Sequence, residues 1–165
     1  MAAPVKDIGT KEILTKVIDL LWTNKALIDP ICKYYVADDK LMKVYRGDLK
    51  VISTYPCICV EPLTTVYEYG AANYTVSNTY NLRIFCYLKN IDREEQVNYI
   101  VDFTEAVRMI LNNPDNVQWI SPTGGEIYDS RITSATFGFK QGFAIRASQC
   151  DWSANSWNTQ YHQGV

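Results

Sequence analysis

Between Val76 and Leu88 the sequence alternates with a period of two, and this run limits the fold more than any other feature. Val76, Asn78, Tyr80, Leu82, Ile84, Cys86 and Leu88 share one face. Thr75, Ser77, Thr79, Asn81, Arg83, Phe85 and Tyr87 share the other. A period of two places side chains alternately on opposite faces of a strand. The second face runs from polar to aromatic, as expected of a strand that lies half in water and half against a core. A strand this long needs neighbours, so the chain must build a sheet.

Two helices flank that strand in sequence. The first spans about Thr10 to Thr23, with Ile13, Leu14, Val17, Ile18, Leu20, Leu21 and Trp22 on one broad arc and Thr10 as N-cap. The second runs from Arg93 to about Leu111. Asp92 and Glu95 have the spacing of a capping box, and Asn112-Asn113-Pro114 stops the helix. Its expected buried arc holds Val97, Ile100, Val101, Phe103, Thr104, Val107 and Leu111. The segment from Lys25 to Thr54 carries weak signals: turns at Asp29-Pro30 and Arg46-Gly47-Asp48, and a stretch from Lys40 to Tyr45 compatible with a strand or a helical turn.

The other expected strands are Pro56–Pro62, Thr64–Tyr69, a short piece around Val117–Ile120, Glu126–Phe139, and Phe143–Trp152 returning after a Lys140-Gln141-Gly142 loop. Proline lacks the ladder donor, so Pro56 and Pro62 belong at strand ends or on an edge. The order is α-β-β-β-α-β-β-β. That is an α+β fold, a mainly antiparallel sheet carrying two principal helices on one face. Residues 1–152 form one domain, and 153–165 read as a polar tail.

Composition narrows the function. The formal charge is -2, too little for bulk electrostatic capture of nucleic acid. The lone histidine, His162, weakens any Ser-His or Cys-His mechanism and most histidine metal sites. Cys32, Cys57, Cys59, Cys86 and Cys150 contain no CxxC pair, so free thiols of a reducing compartment are expected and no metal site is assigned. The N-terminus lacks a cationic start and a long apolar stretch, and no run is long enough to span a membrane. The Asn73-Tyr74-Thr75 sequon carries little without a secretion signal.

The remaining candidates for chemistry have plainer explanations. Gly124-Gly125 lacks the lysine and the helix of a phosphate loop and reads as a turn. Glu94 and Glu95 sit in a first helical turn, where acids are favoured by the dipole. Asp38 and Asp39 read as loop, Asp129 and Asp151 lie near strand ends, and Ser148 and Ser153 have no credible base. No catalytic residue and no cofactor site are assigned. The twelve tyrosines stand out instead. Tyr67, Tyr69, Tyr74 and Tyr80 cluster about the Gly70-Ala71-Ala72 connection, either packing half-buried sheet edges or contacting a neighbour.

Four segments together resemble the tail terminator (tail-completion) proteins of long-tailed bacteriophages. They are Tyr55-Pro56-Cys57-Ile58-Cys59-Val60-Glu61, Tyr80-Asn81-Leu82-Arg83-Ile84-Phe85-Cys86-Tyr87, Asp92-Arg93-Glu94-Glu95 leading the helix to Leu111-Asn112-Asn113-Pro114, and Gly142-Phe143-Ala144-Ile145-Arg146-Ala147. The resemblance covers about Thr10 to Trp152. It implies a homo-hexameric ring on the head-proximal end of a tail tube, which ends tube polymerisation and joins the tail to the neck. The implied partners are copies of the chain itself, the tail tube protein and a neck or head-completion protein, with DNA passing through the lumen unbound. The implied location is the virion, after assembly in the host cytoplasm. Expected interface residues are Tyr67, Tyr69, Tyr74 and Trp157, with Arg83 and Arg131 as lumen or partner charges. The alternatives are another neck, head-closure or tube-like protein, and a small enzyme or ligand-binding domain, which would need a deep pocket with convergent polar groups.

Overall fold

The computed structural model describes residues 8–32, 41, 43–52, 54–69, 75–89, 93–121, 125–140 and 145–159. The elements are α1 (Thr10–Thr23), a 3-10 turn (Lys25–Leu27), α2 (Asp29–Cys32), β1 (Lys43–Arg46), β2 (Cys57–Tyr69), β3 (Thr75–Lys89), α3 (Arg93–Leu111), β4 (Trp119–Ile120), β5 (Glu126–Lys140) and β6 (Ile145–Thr159). The fold is α+β. Among the described residues, one six-stranded sheet has the order β1-β2-β3-β6-β5-β4, in which only the β1–β2 pair is parallel.

β3 is central because its alternation works on both faces. Tyr80, Leu82, Ile84, Cys86 and Leu88 are buried against the helices. They join Ile58 and Val60 of β2 and Cys150, Trp152 and Ala154 of β6 in the main core. α1 adds Ile13, Leu14, Val17 and Leu21, and α3 adds Ile100, Phe103, Val107, Ile110 and Leu111. A second, small cluster of Ile52, Cys57, Cys59, Tyr87 and Ile145 lies on the opposite face, with Tyr45, Tyr55, Phe85 and Ala147 packed against it.

Several expectations need correcting. Gly9, not Thr10, is the N-cap of α1, and no side chain caps it. The Thr10 hydroxyl instead meets that of Thr65 on β2 at 2.9 Å, so the sheet takes the group that was to cap the helix. Trp22 lies outside the core, beneath the Lys25 ammonium 4.4 Å from its ring centroid. On α3 the buried stripe runs through Gln96, Ile100, Phe103, Thr104 and Val107, while Val97 and Val101 are exposed. Asp29-Pro30 lies within the short α2. The Lys40–Tyr45 stretch supplies a strand, β1, and Gly47 turns the chain away from it with φ of +88°.

The two strands expected on either side of Leu63 are a single strand of 13 residues. A bulge between Pro62 and Thr64 takes up the irregularity. β1 pairs only as far as Val60, so among the described residues the proline lies on an unpaired edge, where its missing donor removes no ladder bond. β6 also runs past Trp152 to Thr159, pairing with β3 throughout, so residues 153–159 belong to the sheet and not to a tail. Polar composition hid this extension. Ser156 and Asn78 are fully buried, and the Asn78 amide donates to the Tyr80 hydroxyl at 3.1 Å. The Tyr80 hydroxyl in turn donates to the Ile8 carbonyl. The proposed Asp92 cap and the Gln141-Gly142 loop fall outside the described residues, as does His162.

Candidate assembly edges and the helix-free face

The two faces of the sheet can be followed strand by strand, because directly opposed residues share a face. Thr65 bonds α1, so Thr65 and Tyr67 of β2 lie on the helix side. The Ser148 hydroxyl lies 2.6 Å from that of Thr104 on α3, so Ser148 and its opposite number Phe137 are also on the helix side. Arg83 of β3 and Arg131 of β5 are both on the other face, separated by β6. Trp157 sits near the end of β6, opposite Ser77 and Glu126. Tyr74 lies outside the described residues. Tyr67 therefore lies on the face opposite to Arg83 and Arg131.

Both arginines lie beside carboxylates. Arg131 pairs with Asp129 at 2.6 Å, and Arg83 lies 3.9 Å from Asp151. Asp151 also accepts from Ser134 at 3.0 Å and from Gln149 at 3.3 Å. Asp129 and Asp151 thus lie beside different arginines. Thr79 and Asn155 are hydrogen-bonded at 2.9 Å, as are Asn81 and Thr64. This half of the helix-free face is largely polar, and with Glu61 opposite Arg83 and Glu68 opposite Ser77 its carboxylates outnumber its arginines.

The other half holds a cleft of about 430 Å³ bordered by Asp48, Phe85, Tyr87, Gly138, Lys140 and Gln149. Its polar groups are spent on each other. The Lys140 ammonium reaches Asp48 at 2.5 Å, the Leu49 carbonyl at 2.7 Å and the Tyr87 hydroxyl at 3.3 Å. Tyr87 donates to Asp48 at 2.8 Å. Burial, with Asp48 accepting the bond, pushes the Tyr87 phenol well above its ordinary range. Beneath it, the neighbouring Cys59 thiol together with burial pushes the Cys57 thiol well above its ordinary range. Both thiols are completely buried. The arrangement fastens the 47–49 loop to the sheet and offers no exposed nucleophile. Among the described residues, no group of three or more His, Cys, Asp or Glu could hold a metal ion. No described helix is long and apolar enough to cross a membrane.

Sequence reasoning missed the sheet edges. β1 covers β2 only from Cys57 to Val60, so Glu61–Tyr69 has no strand on its outer side among the described residues. On the opposite margin β4 covers only Glu126 and Ile127 of β5. The Asn112 amide then blocks the margin at Ile132, accepting from its N–H at 2.7 Å and donating to its carbonyl at 3.4 Å. Beyond it, Ser134–Lys140 is open among the described residues. The two open stretches carry exposed apolar side chains: Leu63, Val66 (45%) and Tyr67 (53%) on β2, and Phe137 (47%) and Phe139 (44%) on β5. The alternating Phe137-Gly138-Phe139 is visible in the sequence, but nothing local says that it lies at a margin. No family model matches this sequence, and no curated protein matches it.

Proposed function

We propose that this chain is a structural virion subunit that closes into a ring, hexameric by its resemblance to tail terminators. In that role it caps the head-proximal end of a phage tail tube, ends polymerisation and presents a surface to the neck. One observation carries the reading: a single sheet exposes two margins that are unpaired among the described residues, one on β2 and one on β5, at its opposite sides. Unpaired margins invite pairing with another chain, and natural folds usually cover them. Two different margins on one chain favour head-to-tail contacts, which close into rings.

The polar half of the helix-free face supports the same reading. Its arginines lie beside Asp129 and Asp151, Glu61 and Glu68 add further negative charge, and much of the rest is Asn, Ser and Thr. Such a face suits a lumen through which DNA slides without being held, since retention needs uncompensated cations. The helices then lie outside.

The test is the mass of the full-length protein under native conditions, alone and with its tail tube protein, together with image averaging. Rings that cap tube ends are expected. A strictly monomeric chain, even beside tube protein, would overturn the reading. Rings that bind neck components and ignore the tube would move the protein to a head-closure position.

A further inference from the structure

The two open margins complement each other in polarity, phase, length and side chain, and we infer that β2 of one copy pairs antiparallel with β5 of the next, with Tyr67 opposite Phe137. This rests on the ring-forming reading above and specifies the joint.

Polarity comes first. β2 and β6 run one way and β3 and β5 the other, because each adjoining pair is antiparallel. When a second copy is set beside the first in the same orientation, its β2 meets β5 antiparallel. That is the arrangement a cyclic assembly requires.

Phase comes second. Backbone polar groups point alternately to the two sides of a strand. The Val60 carbonyl accepts from the Gly47 N–H at 2.7 Å, so its polar groups point away from β3. Ile132 points away from β6, as its bonds to Asn112 show. β3 and β6 pair without a register shift, so the alternation carries across each bulge. Thr65 and Tyr67 on β2, and Ala135, Phe137 and Phe139 on β5, then point outward. These same residues lie on the helix side of the sheet. Any register that keeps the two helix sides together therefore also matches donors to acceptors.

Length and side chains select among such registers. Thr64–Tyr69 faces Lys140–Ala135, and the blocked parts of each margin are left out. Tyr67 and Phe137 form an aromatic cross-strand pair. On the other face Val66 lies over Gly138, where a Cβ would meet nothing within 4 Å. Small Thr64 lies beside Lys140, whose ammonium is held by Asp48. A slip of two in one direction sets Glu68 over Gly138 and Val66 against Lys140. A slip of two in the other leaves only Thr64 over the glycine.

The joint also implies a stagger. In its own copy the row through Phe137 runs through Ser148 and Cys86 to Ile58. Moving from Ile58 to Tyr67, less the bulge residue, is about eight strand positions or ~26 Å. Strands in closed barrels are tilted and sheared in this way.

Cysteine pairs in the full-length protein test the register. Glu68 and Thr136 would be a close, non-hydrogen-bonded pair, with Cα atoms about 4.5 Å apart, within disulfide reach. Under mild oxidation, the double variant Glu68→Cys with Thr136→Cys should give a ladder of covalent oligomers ending at ring size. Glu68→Cys with Ser134→Cys, and Glu68→Cys with Gly138→Cys, should cross-link at least tenfold less. Rings by native mass without the Glu68/Thr136 cross-link would overturn this joint and leave the assembly reading standing. Equal cross-linking of all three pairs would overturn the register. Absence of rings from the unmodified protein would remove the assembly reading and the joint with it. Tyr67→Lys should raise the half-assembly concentration at least tenfold with the monomer's melting midpoint unchanged; unchanged assembly would count against the joint.

Discussion

The two faces of this sheet carry different burdens. The helix side holds the main core, where Leu82, Ile84, Ile100 and Phe103 are almost completely buried. The other side has a small cluster at one end, closed by the Asp48–Lys140–Tyr87 group, and a polar surface with more carboxylates than arginines at the other. Apolar burial contributes roughly 1.5–3 kcal/mol per large side chain, whereas an exposed ion pair contributes about 0–1. Stability therefore resides on the helix side, and the opposite face is free to be shaped by what it touches.

The sharpest way to break that contrast is Phe103→Ala, which leaves a cavity between α3 and the sheet. It should cost about 3–5 kcal/mol, read from denaturant midpoints at unchanged slope. A loss below ~1 kcal/mol would mean that the helix is not what holds the sheet.

Alkaline titration probes the same core. Burial pushes the Cys150 thiol up to about 12 from 9.0. Between those values the unfolded chain loses a proton that the folded chain keeps, so stability must fall as pH rises. The full span corresponds to about 4 kcal/mol at most. Comparing the slope above pH 9 with that of Cys150→Ala isolates this thiol; identical slopes would refute the assignment.

Asp48→Ala removes the acceptor shared by Lys140 and Tyr87 and frees the 47–49 loop. About 1–3 kcal/mol is expected, with faster amide exchange confined to that loop. Smallest is Arg83→Ala, on the polar surface, at about 0.5 kcal/mol or less in thermal unfolding. A larger loss there than in Asp48→Ala would reverse the comparison of the two ends of this face.

How far the sequence could be read differs from element to element. The alternation of β3 and the periodicity of α1 and α3 were plain, because each repeats the same contact over several turns or pleats. Pro62 misled, because a bulge on an unpaired margin accommodates what a central strand would reject. The end of β6 was hidden because its buried members Ala154 and Ser156 are small, and their burial depends on β3 and β5. Of the expected interface residues, Tyr67 lies on a margin that is open among the described residues, while Arg83 and Arg131 sit on the opposite face, Arg131 bonded to Asp129 and Arg83 near Asp151.

Local periodicity suffices to say that this chain makes long strands with two amphipathic helices, since the spacing of apolar residues is a property of neighbours along the chain. Which strands end the sheet, and which parts of their margins stay open, is settled by contacts between distant residues. Asn112 closing the margin at Ile132 and β1 stopping at Val60 are two of them. A backbone hydrogen bond carries no mark of its partner in the sequence, so the open margins become visible only once the whole sheet is assembled.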